Sequence, residues 1–323
     1  MATGQVALAL GSGGARGYAH IGVIDELRDR GYEVVGVAGS SMGALVGGLH
    51  AAGSLDEFAD WAKTLTQRAV LRLLDPSITA AGVLRAEKIL DAVRDILGEA
   101  CIEDLPIPYT AVATDLITGK SVWLQRGPVD AAIRASIAIP GVIAPHVLDG
   151  RLLADGGILD PVPMAPIAAV KADLTIAVSL GGGPDAATEP AGSAESKPTT
   201  EWLNRLLRST SALLETAPAK SVRNRFGSAD DSAEAAESDD GTEQFVDSSR
   251  DAGLPKLGSF SVMNRTIDIA QSALARHQLA TYPPDLFIEV PRTACRSLDF
   301  HRAAELIDLG RELTARKLDQ GTP

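Results

Sequence analysis

The chain has 323 residues, 45% of them hydrophobic, 22% charged and 4% aromatic, with 30 lysines and arginines against 42 aspartates and glutamates and a formal charge of -12. Acid surplus and few aromatics exclude nucleic acid as a partner, because phosphate backbones need clustered cations and single strands need stacking platforms. Cys101 and Cys295 stand far apart in no metal or redox spacing, which implies a reducing, cytoplasmic compartment.

Met1 to Leu10 has no basic opening, so no secretory signal is expected, and it runs straight into Val6 to Leu10, an apolar run of buried-strand length. A glycine loop, Gly11-Ser12-Gly13-Gly14-Ala15-Arg16-Gly17, leads into a helix whose Ile21, Ile24 and Leu27 share a face and which Gly31 ends. The strand Val34 to Ala38, the tight turn Gly39-Ser40-Ser41-Met42-Gly43 and a helix to Gly53 come next. The 22 residues from Val34 to Leu55 contain no Asp, Glu, Lys or Arg, but six glycines and three serines mark a buried strand-turn-helix, not a membrane span. Strand, helix, strand, helix at this spacing predicts a mostly parallel sheet sandwiched by helices.

Helices are then expected over 55–67 and 85–97, strands over 109–114 and 121–124, a helix over 130–138, and strands over 151–154 and 174–180. A helix over 259–281, a strand over 286–290 and a closing helix over 300–318 complete the series, with no repeat of 20 to 50 residues. Between Gly181 and Gly258 the composition turns to small, polar and acidic residues; Ser228 to Asp251 alone has nine acids against one arginine. That composition predicts a flexible acidic insertion. Within it Trp202, Leu203, Leu206, Leu207, Leu213 and Leu214 interleave with Arg205 and Arg208, as a lid, an interfacial helix or a segment docked on the core would.

Gly39-x-Ser41-x-Gly43 sits between a strand and a helix, the context of a nucleophile elbow. Side chains at 39 and 43 would block so sharp a turn, and the turn lifts the Ser41 hydroxyl above the sheet at the positive end of a helix. The first glycine loop opens another helix at the same sheet edge, so its free N–H groups suit an oxyanion hole. Its rival meaning is a dinucleotide cradle. The spacing Gly11-x-Gly13-x-x-x-Gly17 is one residue too long, Arg16 occupies the loop, and the second strand ends in Ala38-Gly39 without an acid for a ribose.

A nucleophilic serine needs a base. His50 lies too far along its helix, His277 and His301 read as solvated, and His20 and His146 are placed to compete but have no catalytic context. Asp155 in Leu153-Ala154-Asp155-Gly156-Gly157 is the better candidate, since it comes after a strand and the two glycines admit another backbone; a turn aspartate capping its own chain is the plain alternative, and Asp115 the second choice.

Together these pieces resemble the patatin-like phospholipase family, in particular its bacterial cytosolic members. The resemblance covers Val6 to Leu180 and resumes from Ser259, on the glycine loop with Ala19-His20-Ile21-Gly22-Val23, on Gly39 to Gly43, on Ala135-Ser136-Ile137-Ala138-Ile139-Pro140-Gly141 and on Asp155-Gly156-Gly157. It implies a three-layer α/β fold related to the α/β-hydrolases, with residues 5–180 plus 259–320 as the catalytic domain and 181–258 as the insertion. It implies a Ser41–Asp155 dyad, an oxyanion hole at Gly13, Gly14 and Ala15, and support from Gly11, Arg16, Gly17, Gly39, Gly43, Gly156 and Gly157. The activity implied is hydrolysis of phospholipids or other acyl esters, with transient peripheral membrane contact. No cofactor or metal is expected, since no H-E-x-x-H or D-x-D-x-D-G pattern occurs. Ile137, Ile139, Val142, Ile143 and Leu148 are the expected lining of an acyl pocket. A non-catalytic lipid- or protein-binding role and a dinucleotide-binding enzyme stay open as alternatives.

Overall fold

The computed structural model describes residues 4–73, 87–140, 142–183 and 259–321. Its strands are Gly4–Leu10 (β1), Tyr32–Ser40 (β2), Tyr109–Asp115 (β3), Lys120–Leu124 (β4), His146–Leu148 (β5), Arg151–Asp155 (β6), Leu174–Gly182 (β7) and Leu286–Pro291 (β8). Its helices are Ala19–Asp29 (α1), Met42–Ala51 (α2), Leu55–Lys63 (α3), Gln67–Leu73 (α4), Glu87–Leu97 (α5), Val129–Ser136 (α6), Ser259–Thr281 (α7) and Ala303–Asp319 (α8).

β1 explains the layering. Its residues Val6 to Leu10 have no exposed surface, because both edges carry parallel neighbours, β2 and β7, and both faces are covered. Val6, Leu8 and Leu10 point one way, into a core shared with α1, α2 and α8. Ala7 and Ala9 point the other way, where, with Ala38 and Ala177, they make a low surface that Val162, Met164, Ile167 and Ala275 of α7 approach closely. The sheet has eight strands in hydrogen-bonded order β5-β6-β3-β2-β1-β7-β8, with β4 also on β3. β1, β2, β3, β7 and β8 are parallel; β4 and β6 oppose β3. This is the mostly parallel α/β sheet between helices that the sequence predicts.

β3 is shared by three strands. β4 pairs with Ala111 to Asp115, so its two other partners divide the opposite edge: β2 ends with Ser40 beside Val112, and β6 arrives antiparallel with Asp155 beside Ala113. The end of one strand and the end of the other thus meet at successive residues of a third.

Several boundaries differ from expectation. The helix expected over 55–67 breaks after Lys63, where the Thr64 hydroxyl donates to the Trp61 carbonyl and the Thr66 hydroxyl accepts the Ala69 N–H, each threonine ending or starting a helix. The closing helix begins as a 3-10 turn, Phe300–Arg302. β5 is not among the expected strands, although Asp149-Gly150, both at positive φ (49° and 72°), is the turn pair that signals a two-residue hairpin. β7 continues to Gly182, past the expected start of the insertion. The rest of the insertion, with the segment expected to form a lid, an interfacial helix or a piece docked on the core, lies outside the described residues, as do residues 85–86 and Gly141. No helix among the described residues is long and apolar enough to cross a membrane.

α1 and α8 cross with backbones in contact. A Cβ on Gly22 would lie 1.9 Å from the Ile307 carbonyl oxygen and 2.7 Å from the Arg311 nitrogen, so only glycine fits without moving a helix. Gly22→Ala is therefore expected to destabilise the fold by about 1–3 kcal/mol or more, read as a lower urea midpoint; an unchanged midpoint contradicts the tight crossing.

Candidate active site

β2 delivers the chain to Ser41, which turns it into α2 at φ 57° and ψ -123°, a strained conformation for a residue with a side chain. The turn is as tight as the sequence requires: a Cβ on Gly39 would fall 2.2 Å from the Gly43 carbonyl oxygen, and one on Gly43 would fall 2.0 Å from that of Leu10. The Ser41 carbonyl accepts from Ala44 (2.9 Å) and Leu45 (3.1 Å), starting the helix. The Ser41 N–H donates to the Ser136 hydroxyl at 2.9 Å, and that hydroxyl donates to the Val112 carbonyl at 2.6 Å. Ser136, fully buried at the end of α6, so ties the elbow to β3.

The side chain of Ser41 donates to Oδ2 of Asp155 at 2.5 Å. Oδ1 of the same carboxylate accepts the Gly157 N–H at 2.7 Å. Asp155 thus caps its own turn through one oxygen and bonds Ser41 through the other. Its backbone is fixed by the Thr114 hydroxyl, which donates to its carbonyl (3.0 Å), and by its own N–H on the Ala138 carbonyl (3.0 Å). Burial raises the Asp155 pKa to about 6, although the Ser41 and Gly157 hydrogen bonds pull it down.

Gly14 and Ser41 line the same cavity. Outside regular helix and strand bonds, the amides of Gly13 and Gly14 have no backbone acceptor among the described residues. The Ala15 N–H donates to the Ser297 carbonyl at 2.9 Å and so anchors the loop. Gly11 and Gly17 give room to neighbours, with a Cβ on Gly17 overlapping that of Met42 at 2.3 Å. Arg16 points away from this cavity, onto the Arg292 carbonyl. Gly156 packs on β3, where a Cβ would meet the Val112 carbonyl at 2.0 Å, and Gly157 packs on Ser12.

None of the five histidines bonds to Ser41 or Asp155. His20 is fully buried with Nε2 2.8 Å from the Gly11 carbonyl, and burial depresses its pKa to about 4, so the neutral ring donates there and holds the loop. His50 sits at the far end of α2, His146 on β5, and His277 and His301 on or near α7 and α8. Asp115 accepts the Ile117 and Thr118 amides of its own turn (2.9 and 3.2 Å) and takes no part.

The cavity beside Ser41 is walled by Leu45, Phe58, Trp61, Leu65, Val70, Ile89, Leu298 and Phe300 together with Ile137, Ile139, Val142 and Ile143. Four of the five expected lining residues are there. Leu148 instead packs on Leu153, Ala113 and Val122. Tyr18 stacks edge-on against Phe300 and tilted against Phe58, closing one side. Sequence reasoning missed Ser136, although it stands in the motif Ala135-Ser136-Ile137, and missed the aromatic wall, whose residues have no local pattern. Ser136→Ala would leave the Ser41 N–H and the Val112 carbonyl unpaired, costing about 1–3 kcal/mol of stability. As a positioning residue it should lower kcat about ten-fold with little change in KM.

Fold and site together define a class, α/β proteins carrying a serine at a strand-to-helix elbow beside an apolar cavity. Residues 8–168 match the family model described as Patatin-like phospholipase. The chain is 67% identical, over 98% of its length and 91% of the relative's, to an uncharacterized NTE family protein of Mycobacterium tuberculosis. It is 31% identical to the neuropathy target esterase sws of Drosophila melanogaster over 56% of this chain and 13% of that protein. VipD from Legionella pneumophila is a structural match at TM-score 0.45 and 15% identity, over 98% of this chain and 66% of that one. The chain belongs to the patatin-like phospholipase family, a family of lipid hydrolases.

Proposed function

We propose that this protein is a serine-dependent lipid acyl hydrolase that cleaves phospholipids, lysophospholipids or related acyl esters through a Ser41–Asp155 dyad. The observation that carries the reading is the 2.5 Å hydrogen bond between the two side chains, at the wall of an apolar cavity. A carboxylate raised to about 6 is a stronger base than one in water and is still ionised near neutrality. Asp155 takes the Ser41 proton as the hydroxyl attacks the ester carbonyl, and the amides of Gly13 and Gly14 receive the oxyanion. The protonated Asp155 gives that proton to the departing alkoxide. Water then attacks the acyl-enzyme, Asp155 accepting its proton and returning it to Ser41 as the fatty acid leaves. The apolar cavity holds the acyl chain, and residues 5–180 with 259–320 make up the catalytic domain.

The test is a fluorophosphonate probe with mass spectrometry of the labelled peptide. Labelling of Ser41 that slows in Asp155→Ala supports the dyad. No labelling leaves the lipid- or protein-binding role, and nicotinamide cofactor binding by calorimetry favours the dinucleotide one.

A further inference from the structure

A second cavity lies on the other side of the glycine loop. Ser12 and Arg16 line it from the loop, Arg292 from the segment after β8, and Asp268 and Arg276 from α7, while Gly14 of the same loop faces the Ser41 cavity. The loop is thus a partition between two pockets.

Arg16 is only 7% exposed. Among the described residues it makes one hydrogen bond, from Nη1 to the Arg292 carbonyl at 3.3 Å, and its buried Nε has no partner. No carboxylate lies within salt-bridge distance of Arg16 or Arg292 among the described residues, although Asp268 and Glu289 are also in the cavity wall. Among the described residues Arg292 is held in place by neutral acceptors: the carbonyls of Gly181 (3.1 Å) and Asp268 (3.0 Å) and the Ser272 hydroxyl. A buried guanidinium with no carboxylate bonded to it is costly, and two that share one pocket repel each other as well. Arg16 feels burial most, then the opposing pull of Asp268 and of Cys295, and last the repulsion of Arg292. Such a pair is relieved by an anion with several acceptor oxygens, which the planar forks of arginine match.

We infer that this cavity binds an oxyanion group, phosphate or carboxylate, on Arg16 and Arg292. Val162, Leu180, Leu279 and Phe287 give it an apolar wall, so the group can come free in solution or at the end of an acyl chain. The inference does not depend on Ser41 being a nucleophile.

The experiment is calorimetry on the full chain at constant ionic strength, titrating inorganic phosphate in one arm and decanoate in the other, with chloride as control. Saturable binding of either anion, weakened about ten-fold or more in Arg292→Gln and in Arg16→Gln and kept in Ser41→Ala, is the expected result. Phosphate alone identifies a headgroup or free phosphate as the source, and decanoate identifies a fatty acid. Binding lost in Ser41→Ala, or unchanged in a folded Arg292→Gln, assigns the anion to another place and overturns the site. Absence of saturable binding to the wild-type chain overturns it too, whether or not the variants fold.

Discussion

Ser41→Ala should lower kcat on a short-chain p-nitrophenyl ester by about ten-thousand-fold or more, because nucleophile and acyl-enzyme disappear together. Its fold should survive. Alanine can occupy the same φ of 57°, and the Ser136 and Ala44 hydrogen bonds use only backbone atoms of residue 41. Ser41→Gly separates strain from chemistry, since glycine adopts positive φ without a Cβ penalty. That variant should be as inactive as the alanine one but more stable than it, by about 1 kcal/mol if the elbow is strained. Comparable kcat in wild type and Ser41→Ala would end the hydrolase proposal, whatever the rest of the geometry suggests. His146→Ala should keep most activity, since its ring contacts neither member of the pair.

The second large effect belongs to Asp155. Asp155→Asn can still accept the Gly157 N–H, yet it is not a base, and kcat should fall about a thousand-fold or more. The pH dependence has a definite sign. Activity of the wild type needs the carboxylate, so kcat/KM should rise as pH passes about 6 and level off above it. Stability should move the other way. The folded pKa, about 6, lies above the ordinary 3.8, so between those values the folded state binds more protons than the unfolded chain, and stability falls as pH rises through that window. At pH 7 the buried negative charge costs the fold about 3 kcal/mol by this linkage. Asp155→Asn removes it and should melt higher than wild type at pH 7, with the gap closing toward pH 4. An inactive variant that also melts lower at neutral pH would show that the carboxylate is held for packing, not for chemistry.

Much of this was legible in the chain because it rests on local rules. The elbow shows because backbone approach at 39 and 43 tolerates only glycine, and β1 shows because five consecutive apolar residues need cover on both faces. Asp155 was readable from two glycines after a strand. Other features depend on partners remote in sequence. Nothing near Ala15 says that its amide meets Ser297, nothing near Phe300 says that it walls an apolar cavity with Phe58, and Ser136 acquires a task only when α6 reaches β3. The break between α3 and α4 is intermediate: the two threonines were visible, but whether they would cap or continue a helix depends on hydroxyl geometry.

The shared edge of β3 has a further consequence for how this site tolerates change. Ser40, the residue before Ser41, and Asp155 are indexed to adjacent residues of β3, Val112 and Ala113, so the alignment of the Ser41 and Asp155 side chains is a counting property of the sheet. Lengthening the Asp149-Gly150 tip leaves the count intact, whereas inserting a single residue between Leu153 and Asp155 rotates the carboxylate to the opposite face. Variation in this region should therefore collect at the hairpin tip and leave the last three positions of β6 invariant in number.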